Sequence, residues 1–223
     1  MLNVLMLRYS GGFEHSYLPH AEVAIKEIGK ASGLYKAVTT HRCDRINPKV
    51  LATVDVLVFA TTGELPFDDS QKALLLDFVR GGKGFVGVHN ATDTFYQWPE
   101  YGEMIGGYFA AHPWTQEVRI KVEDPNHPAT RMLPPVFTVY DEIYTFKNWD
   151  RAKTHVLMSL DTTSVDLSKG NREDQDYAMA WCHPYGQGRV IYTALGHPDD
   201  LWGEPWFREH ILGCIQWAGR LAD

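Results

Sequence analysis

One histidine stands where a catalytic group would be well placed. Residues 81–93 read GGKGFVGVHNATD, and the apolar run at 85–88 ends abruptly at His89. Two glycines precede this run and no polar residue interrupts it, which is typical of a short buried strand. Ligands of open α/β sheets bind at the carboxyl edge of such strands, so we expect His89 at that edge. A neutral imidazole there could transfer a proton or bind a metal near pH 7.

Other polar residues are expected at the same edge. Three further histidines follow strand patterns or lie in loops that could reach it: His15, His112 and His197. Asp93 and Glu142 are the nearest carboxylates by motif, and either could orient a histidine or act as a base. If Glu142 is half-buried beside Tyr144, burial should raise its pKa towards the range that suits general acid or base catalysis.

Each candidate also has a purely structural interpretation. Asp93 could cap the helix after the strand. Glu142 could form an ion pair with Arg189 or Arg119. His112 and His197 each precede a proline, so they could be present only to give the loop the extended backbone that this position requires. The other histidines that we considered are interpreted as surface or packing residues: His20, His41, His127, His155 and His210.

The elements that must position these residues alternate along the first ninety residues. Strand patterns occur at 3–8, 35–39, 55–60 and 85–88, and they are separated by turn or helix patterns. The acidic residues at 68–70 are expected to cap the helix that precedes the fourth strand. A β-α-β alternation implies right-handed crossovers and a parallel sheet, and the continuous apolar strands imply helices on both faces.

The pattern changes after Asp93. An aromatic stretch predicts a short helix and a loop, and residues 114–123 alternate between apolar and polar types as a half-exposed strand does. Residues 178–182 and 189–194 predict a hairpin, and a last helix begins near Pro205. We therefore predict one α/β domain over residues 1–223, with a mostly parallel central sheet and an antiparallel extension.

Composition excludes several classes of function. Hydrophobic residues make up 44% and charged residues 22%, as in ordinary globular domains. The formal charge is −7 without a dense basic run, so we expect no nucleic-acid partner. Residues 1–7 lack the features of a targeting segment and no later run could span a membrane, which predicts a cytoplasmic protein. Three cysteines without CxxC spacing argue against disulfides and a cysteine-rich zinc site.

Four separated motifs resemble those of the ThuA-like, or trehalose-utilisation, family. They are GGKGFVGVHNATD, GGYFAAHP with His112, YDEIYTF with Asp141 and Glu142, and GQGRVIYTALGH ending in His197. The likeness extends from the first strand and His15 to QWAGRL in the last helix. It implies a flavodoxin-like three-layer sandwich related to class I glutamine amidotransferases, and a setting in sugar metabolism beside oxidoreductases that act on disaccharides.

The resemblance also implies that glutamine hydrolysis is absent. Class I amidotransferases place a nucleophilic cysteine on the turn after a central strand, and this chain has His89 there. The three cysteines lie on other predicted segments: Cys43, Cys182 and Cys214. The protein is therefore not expected to be a glutamine amidotransferase.

Three functions remain open from the sequence. The first is an enzyme that acts on a disaccharide or keto-sugar, with His89, Glu142 and Asp93 in acid–base roles. His15, His112, Tyr144 and His197 would then bind substrate. The second is a hydrolase or isomerase in which the same histidines hold a divalent metal such as zinc, although no HExxH or HxH spacing marks a site. The third is a non-catalytic sugar-binding or regulatory module.

Aromatic residues give mild support to a sugar ligand. Several fall in or beside the same loops, and an aromatic ring suits the apolar face of a pyranose: Trp98, Tyr101, Trp114, Tyr144 and Trp202. Packing alone would also account for them. No nicotinamide or flavin fingerprint is present, so no redox cofactor is expected, and the antiparallel region together with exposed aromatics would suit a homodimer.

Overall fold

The four strands predicted in the first ninety residues lie side by side at one end of a nine-stranded sheet. The computed structural model describes residues 1–223. Its first half contains β1 (Leu2–Ser10), α1 (Leu18–Ser32), β2 (Tyr35–Thr40), α2 (Pro48–Leu51), β3 (Val56–Thr62), α3 (Asp69–Arg80) and β4 (Gly84–Val88). The predicted capping of α3 is present. The Asp68 carboxylate accepts a hydrogen bond from the backbone N–H of Gln71, and the Gln71 side chain accepts one from the backbone N–H of Asp68.

The second half of the chain extends the sheet. It contains α4 (Pro99–Ile105), β5 (Tyr108–Val122), β6 (Val136–Lys147), β7 (His155–Leu160), β8 (Ala178–Tyr185), β9 (Gly188–Thr193) and α5 (Pro205–Ala218). The strand order is β2-β1-β3-β4-β9-β8-β7-β5-β6. The predicted hairpin is formed by β8 and β9. None of the helices has the length and apolar character that crossing a bilayer requires.

The sheet is mixed. It has the predicted parallel part and the predicted antiparallel extension, but the extension is as large as the parallel part, so the sheet as a whole is not mostly parallel. Pairings are parallel from β2 through β1, β3 and β4 to β9, and antiparallel from β9 through β8, β7 and β5 to β6. The parallel half follows from helical crossovers. In the antiparallel half the chain reverses without a crossover α-helix, by a tight hairpin between β8 and β9 and by longer loops between β5 and β6 and between β7 and β8.

Helices approach both faces of the central strand β4. A Cβ on Gly84 would lie 2.5 Å from the backbone oxygen of Ala218 in α5, and a Cβ on Gly87 would lie 2.9 Å from Ile105 in α4. Residues three apart in a strand face opposite sides. The two glycines therefore allow a helix to pack closely on each side of β4.

A long ribbon of two strands, β5 and β6, leaves the sheet. β5 pairs with β6 along most of its length but with β7 only at Ile120–Val122. The register shifts twice between Phe109 and Trp114, and such bulges bend a strand. Because β5 begins at Tyr108, His112 lies within a strand rather than in the predicted loop.

Candidate functional site

Three imidazoles and one carboxylate converge at the carboxyl edge of the parallel strands. One ligand atom from each of His15, His89, Glu142 and His197 lies within 4.8 Å of the others. We call these four residues the quartet. They come from the loop after β1, the end of β4, the middle of β6 and the loop after β9. Because the four residues come from distant segments, no short sequence motif contains them all.

The position of His89 is set by the turn that ends β4. Its φ is 44°, a left-handed conformation that costs a non-glycine residue about 1–2 kcal/mol. Its side chain is fully buried. His89 Nδ1 lies 2.7 Å from the carbonyl oxygen of Ala194, so this nitrogen donates a hydrogen bond and carries the proton of the neutral ring.

The other nitrogen of His89 faces the carboxylate of Glu142 and the imidazole of His197. Nε2 lies 3.6 Å from Oε2 of Glu142 and 3.3 Å from Nδ1 of His197. Nδ1 of His197 is itself 3.1 Å from the same carboxylate oxygen. The N–H of His197 Nδ1 can donate to both His89 Nε2 and Glu142 Oε2. Two acceptor atoms therefore share a single hydrogen. A group of ligand atoms of this kind could hold a metal ion.

His15 completes the quartet from the opposite side of His89. The centroids of the two rings are 5.1 Å apart. Nδ1 of His15 lies 3.1 Å from the amide of Asn90, which in turn accepts a hydrogen bond of 2.7 Å from the hydroxyl of Tyr17. Burial, followed by the neighbouring histidines, lowers the pKa of His15 to about 3. The ring is thus neutral at pH 7. Because the Asn90 NH2 group faces Nδ1, which accepts its hydrogen bond, Nε2 carries the proton and would have to give it up to bind a cation.

Glu142 is held in its ionised form. Burial acts to raise its pKa, but the hydrogen bonds and charges of His197 and His89 outweigh burial and hold the pKa well below its usual range. The hydrogen bond to Glu142 in turn raises the pKa of His197. The expectation that the pKa of Glu142 is raised was wrong, because the sequence did not reveal how closely the histidines surround it.

Asp141 fixes the ribbon against the loop that carries His197. Its buried carboxylate accepts backbone hydrogen bonds from Gly196 at 2.8 Å, His197 at 3.2 Å and Glu142 at 2.8 Å. Burial raises the pKa of Asp141 to about 6, against the opposing effect of His89 and of these N–H donors. The acidic pair in YDEIYTF was visible in the sequence, but only the fold separates a structural Asp141 from a site-facing Glu142.

The rim of the site is formed by the ribbon. His112 Nδ1 lies 3.9 Å from Oε1 of Glu142, and 45% of the His112 side chain is exposed. Tyr144 is buried with its ring centroid 4.3 Å from that of His89. Solvent therefore reaches the quartet beside His112 and His197, while Tyr144 closes the inner wall.

Asp93 lies outside the quartet. Its carboxylate accepts a hydrogen bond of 2.5 Å from the hydroxyl of Tyr96, and burial raises its pKa. Asp93 does end the short 3-10 helix His89–Thr92, where its backbone N–H donates to the carbonyl of Asn90, but its carboxylate caps no helix N-terminus. The proposed ion pairs of Glu142 are absent too, since Arg119 binds Asp161 and Arg189 binds Asp223 at the chain end. The structure thus brings together four of the seven predicted site residues, with His112 and Tyr144 beside them.

Comparisons with known proteins agree on the family. Residues 3–218 match the sequence model of the ThuA family, described as trehalose utilisation. A ThuA-like protein from Bacteroides uniformis has a TM-score of 0.79 at 22% identity, with 96% of this chain and 90% of that chain covered. One from Parabacteroides merdae has a TM-score of 0.77 at 17% identity, covering 98% and 90%.

A more distant structure shares the fold. A protein from Salmonella typhimurium that is described as cytoplasmic has a TM-score of 0.61 at 10% identity, with 96% of this chain and 98% of that chain covered. None of the curated proteins compared with the chain matches it.

Proposed function

The chain belongs to the ThuA family, and from that premise we propose that it is an enzyme of sugar metabolism that binds a divalent metal ion at the quartet. The substrate class is a sugar or keto-sugar, and zinc is the ion that we expect. The observation that carries this proposal is the convergence of three histidines and one glutamate within 4.8 Å.

The donor set and its spacing favour a transition metal. Imidazole nitrogen and carboxylate oxygen are common ligands of zinc, at about 2.0–2.2 Å, so two ligands of a tetrahedral site lie about 3.4 Å apart. The distances among His89, His197 and Glu142 are 3.1, 3.3 and 3.6 Å. Only small movements would let these three atoms share one ion, with His15 closing the fourth position.

The surroundings of the ligands also fit a metal. A metal-bound histidine usually donates its second N–H to a carbonyl or carboxylate, which orients the ring. His89 does so to Ala194 at 2.7 Å. Glu142 is kept ionised and His15 neutral, the forms in which each can ligate a cation. Nδ1 of His197, which donates to Glu142 at 3.1 Å, would have to lose its proton to bind an ion, so we expect ion binding to release protons.

The chemistry proposed is proton transfer next to an oxygen of the sugar. A bound divalent ion would act as a Lewis acid towards a carbonyl or hydroxyl oxygen. His112 is placed at the exposed rim, 3.9 Å from Glu142, where its imidazole could deliver or accept a proton. This step is common to hydrolysis, to elimination and to isomerisation beside a carbonyl.

Metal analysis of protein purified without a histidine tag tests the proposal. After incubation with zinc, manganese or nickel and removal of excess ion, we expect about one equivalent of one metal per chain. His89→Ala should lose it, whereas His155→Ala should retain it, because His155 is an exposed partner of Asp124. Wild-type protein that retains no metal would contradict the proposal.

A metal-free acid–base enzyme is the second candidate. The contact of 3.1 Å between His197 Nδ1 and Glu142 Oε2 favours it, because a proton shared there is available without an ion. His89 and Glu142 would then exchange protons with the sugar. Turnover of a keto-disaccharide that survives full chelation, and that Glu142→Gln abolishes, would select this candidate over the first.

A further inference from the structure

An exposed aromatic ring stands next to the quartet. Phe13 is 68% exposed, which is unusual for a phenylalanine. Its ring lies edge-on to that of His15, with centroids 4.9 Å apart and an interplanar angle of 88°. Apart from this contact with His15, the ring has no aromatic partner, and most of its surface faces solvent. It is available to a ligand.

The segment that bears Phe13 is fixed by its backbone. Gly11 donates to the carbonyl of Thr62 at 2.8 Å, and the hydroxyl of Thr62 donates to the carbonyl of Phe13 at 2.8 Å. A Cβ on Gly11 would lie 2.6 Å from the carbonyl oxygen of Glu64, and one on Gly63 would lie 2.5 Å from Gly11. Only glycines allow these two loops to approach so closely. The backbone is thus held while the ring stays free.

The other exposed side of the quartet is polar. The half-exposed imidazole of His112 lies 3.9 Å from Glu142, and its ring stacks on Phe109 with centroids 5.9 Å apart. Two exposed groups therefore adjoin the quartet, an apolar ring at Phe13 next to His15 and a polar imidazole at His112 next to Glu142. A pyranose has the matching surfaces, since axial C–H groups make one face apolar and hydroxyls surround its edge.

We propose that Phe13 is a stacking platform for a pyranose ring whose reacting C–O group lies at the quartet. The inference rests on the proposed function and narrows its substrate to cyclic sugars. An acyclic polyol has the same hydroxyls but no flat apolar face, so Phe13 would discriminate between the two. Because the backbone around Phe13 is already fixed, little ordering of the loop would oppose binding.

Binding of trehalose to zinc-loaded protein, measured by calorimetry and by saturation-transfer NMR, tests the inference. Covering roughly 60 Å² of apolar surface at about 25 cal/mol/Å² corresponds to about tenfold in affinity. We expect Phe13→Ala to bind trehalose about tenfold more weakly, with unchanged zinc content and melting temperature. Phe13→Tyr should stay within about threefold of wild type, and Val38→Ala, an exposed apolar residue of β2, should have no effect.

The controls separate the two proposals. Sorbitol should bind wild type and Phe13→Ala equally weakly. If wild type binds trehalose and Phe13→Ala binds it equally well, Phe13 is not a platform, whereas the proposed function survives. If zinc-loaded wild type binds neither trehalose nor its 3-keto derivative, the proposed function fails and the inference fails with it. A loss of trehalose binding that is as large for Val38→Ala would also overturn the inference.

Discussion

A buried chain of hydrogen bonds orients His15, and breaking its far end should weaken the metal site. The hydroxyl of Tyr17 donates to Asn90 at 2.7 Å, and Asn90 contacts Nδ1 of His15 at 3.1 Å. Tyr17 and Asn90 are fully buried. The substitution Tyr17→Phe removes one hydroxyl and leaves the ring. It therefore tests whether the polar partner, rather than packing, positions the imidazole.

The expected magnitude follows from the contacts that are lost. Removing the hydroxyl costs about 1 kcal/mol for the hydrogen bond, and the unsatisfied Asn90 oxygen adds a further penalty, for a total of about 2 kcal/mol. For a domain of this size that corresponds to a fall of about 4–8 °C in melting temperature. Loss of an outer hydrogen bond to a metal ligand typically weakens metal binding by about 10–100-fold, and we expect the lower end here because Asn90 remains.

Tyr35→Phe is the matched control. Tyr35 is also buried and its hydroxyl donates one hydrogen bond of 2.8 Å, but the acceptor is the carbonyl of Ile25 in α1, which also has a helical partner. Both variants should melt lower than wild type. Only Tyr17→Phe should weaken zinc binding, measured by competition with a chromogenic chelator. Equal zinc affinity in the two variants would refute the positioning role of Tyr17 and Asn90.

Three further predictions concern charge, pH and packing. Glu142→Gln should reduce zinc affinity by at least about 100-fold, because it removes the only anionic ligand, and retention of wild-type affinity in the chelator assay would count against the quartet. Burial lowers the pKa of His210 to about 4, so its neutral form stabilises the fold above pH 6.5 and that contribution is lost as pH falls towards 4. Urea unfolding should show His210→Gln losing about 2 kcal/mol less than wild type between pH 6.5 and 4.5, and parallel curves would refute this. Gly84→Ala should destabilise by about 1–3 kcal/mol, since the added Cβ would meet the Ala218 backbone; unchanged unfolding would contradict the packing described.

The sequence predicted those parts of the site that depend on local patterns. The apolar run before His89 is a strand, and His89 lies at the sheet edge, because a short apolar run that follows a pair of glycines has few alternatives. His15 and His197 likewise follow β1 and β9. Their convergence follows from parallel strands that end at one edge.

The parts that depend on long-range packing could not be predicted. Glu142 was identified as a carboxylate near the site, but its low pKa depends on histidines from two other segments. The path of the ribbon depends on where β5 separates from β7, and no local sequence pattern indicates that point. For this reason His112 was assigned to a loop. Asp93 appeared in the same motif as His89, yet its partner is Tyr96, and spacing alone does not show which way a side chain faces.

Anomalous X-ray diffraction from crystals soaked in zinc, collected on both sides of the zinc absorption edge, tests the central claim most directly. We expect one strong peak that lies about 2.0–2.2 Å from nitrogen atoms of His15, His89 and His197 and from an oxygen of Glu142. Crystals in which these four side chains keep their mutual contacts and show no zinc peak between them would contradict the account.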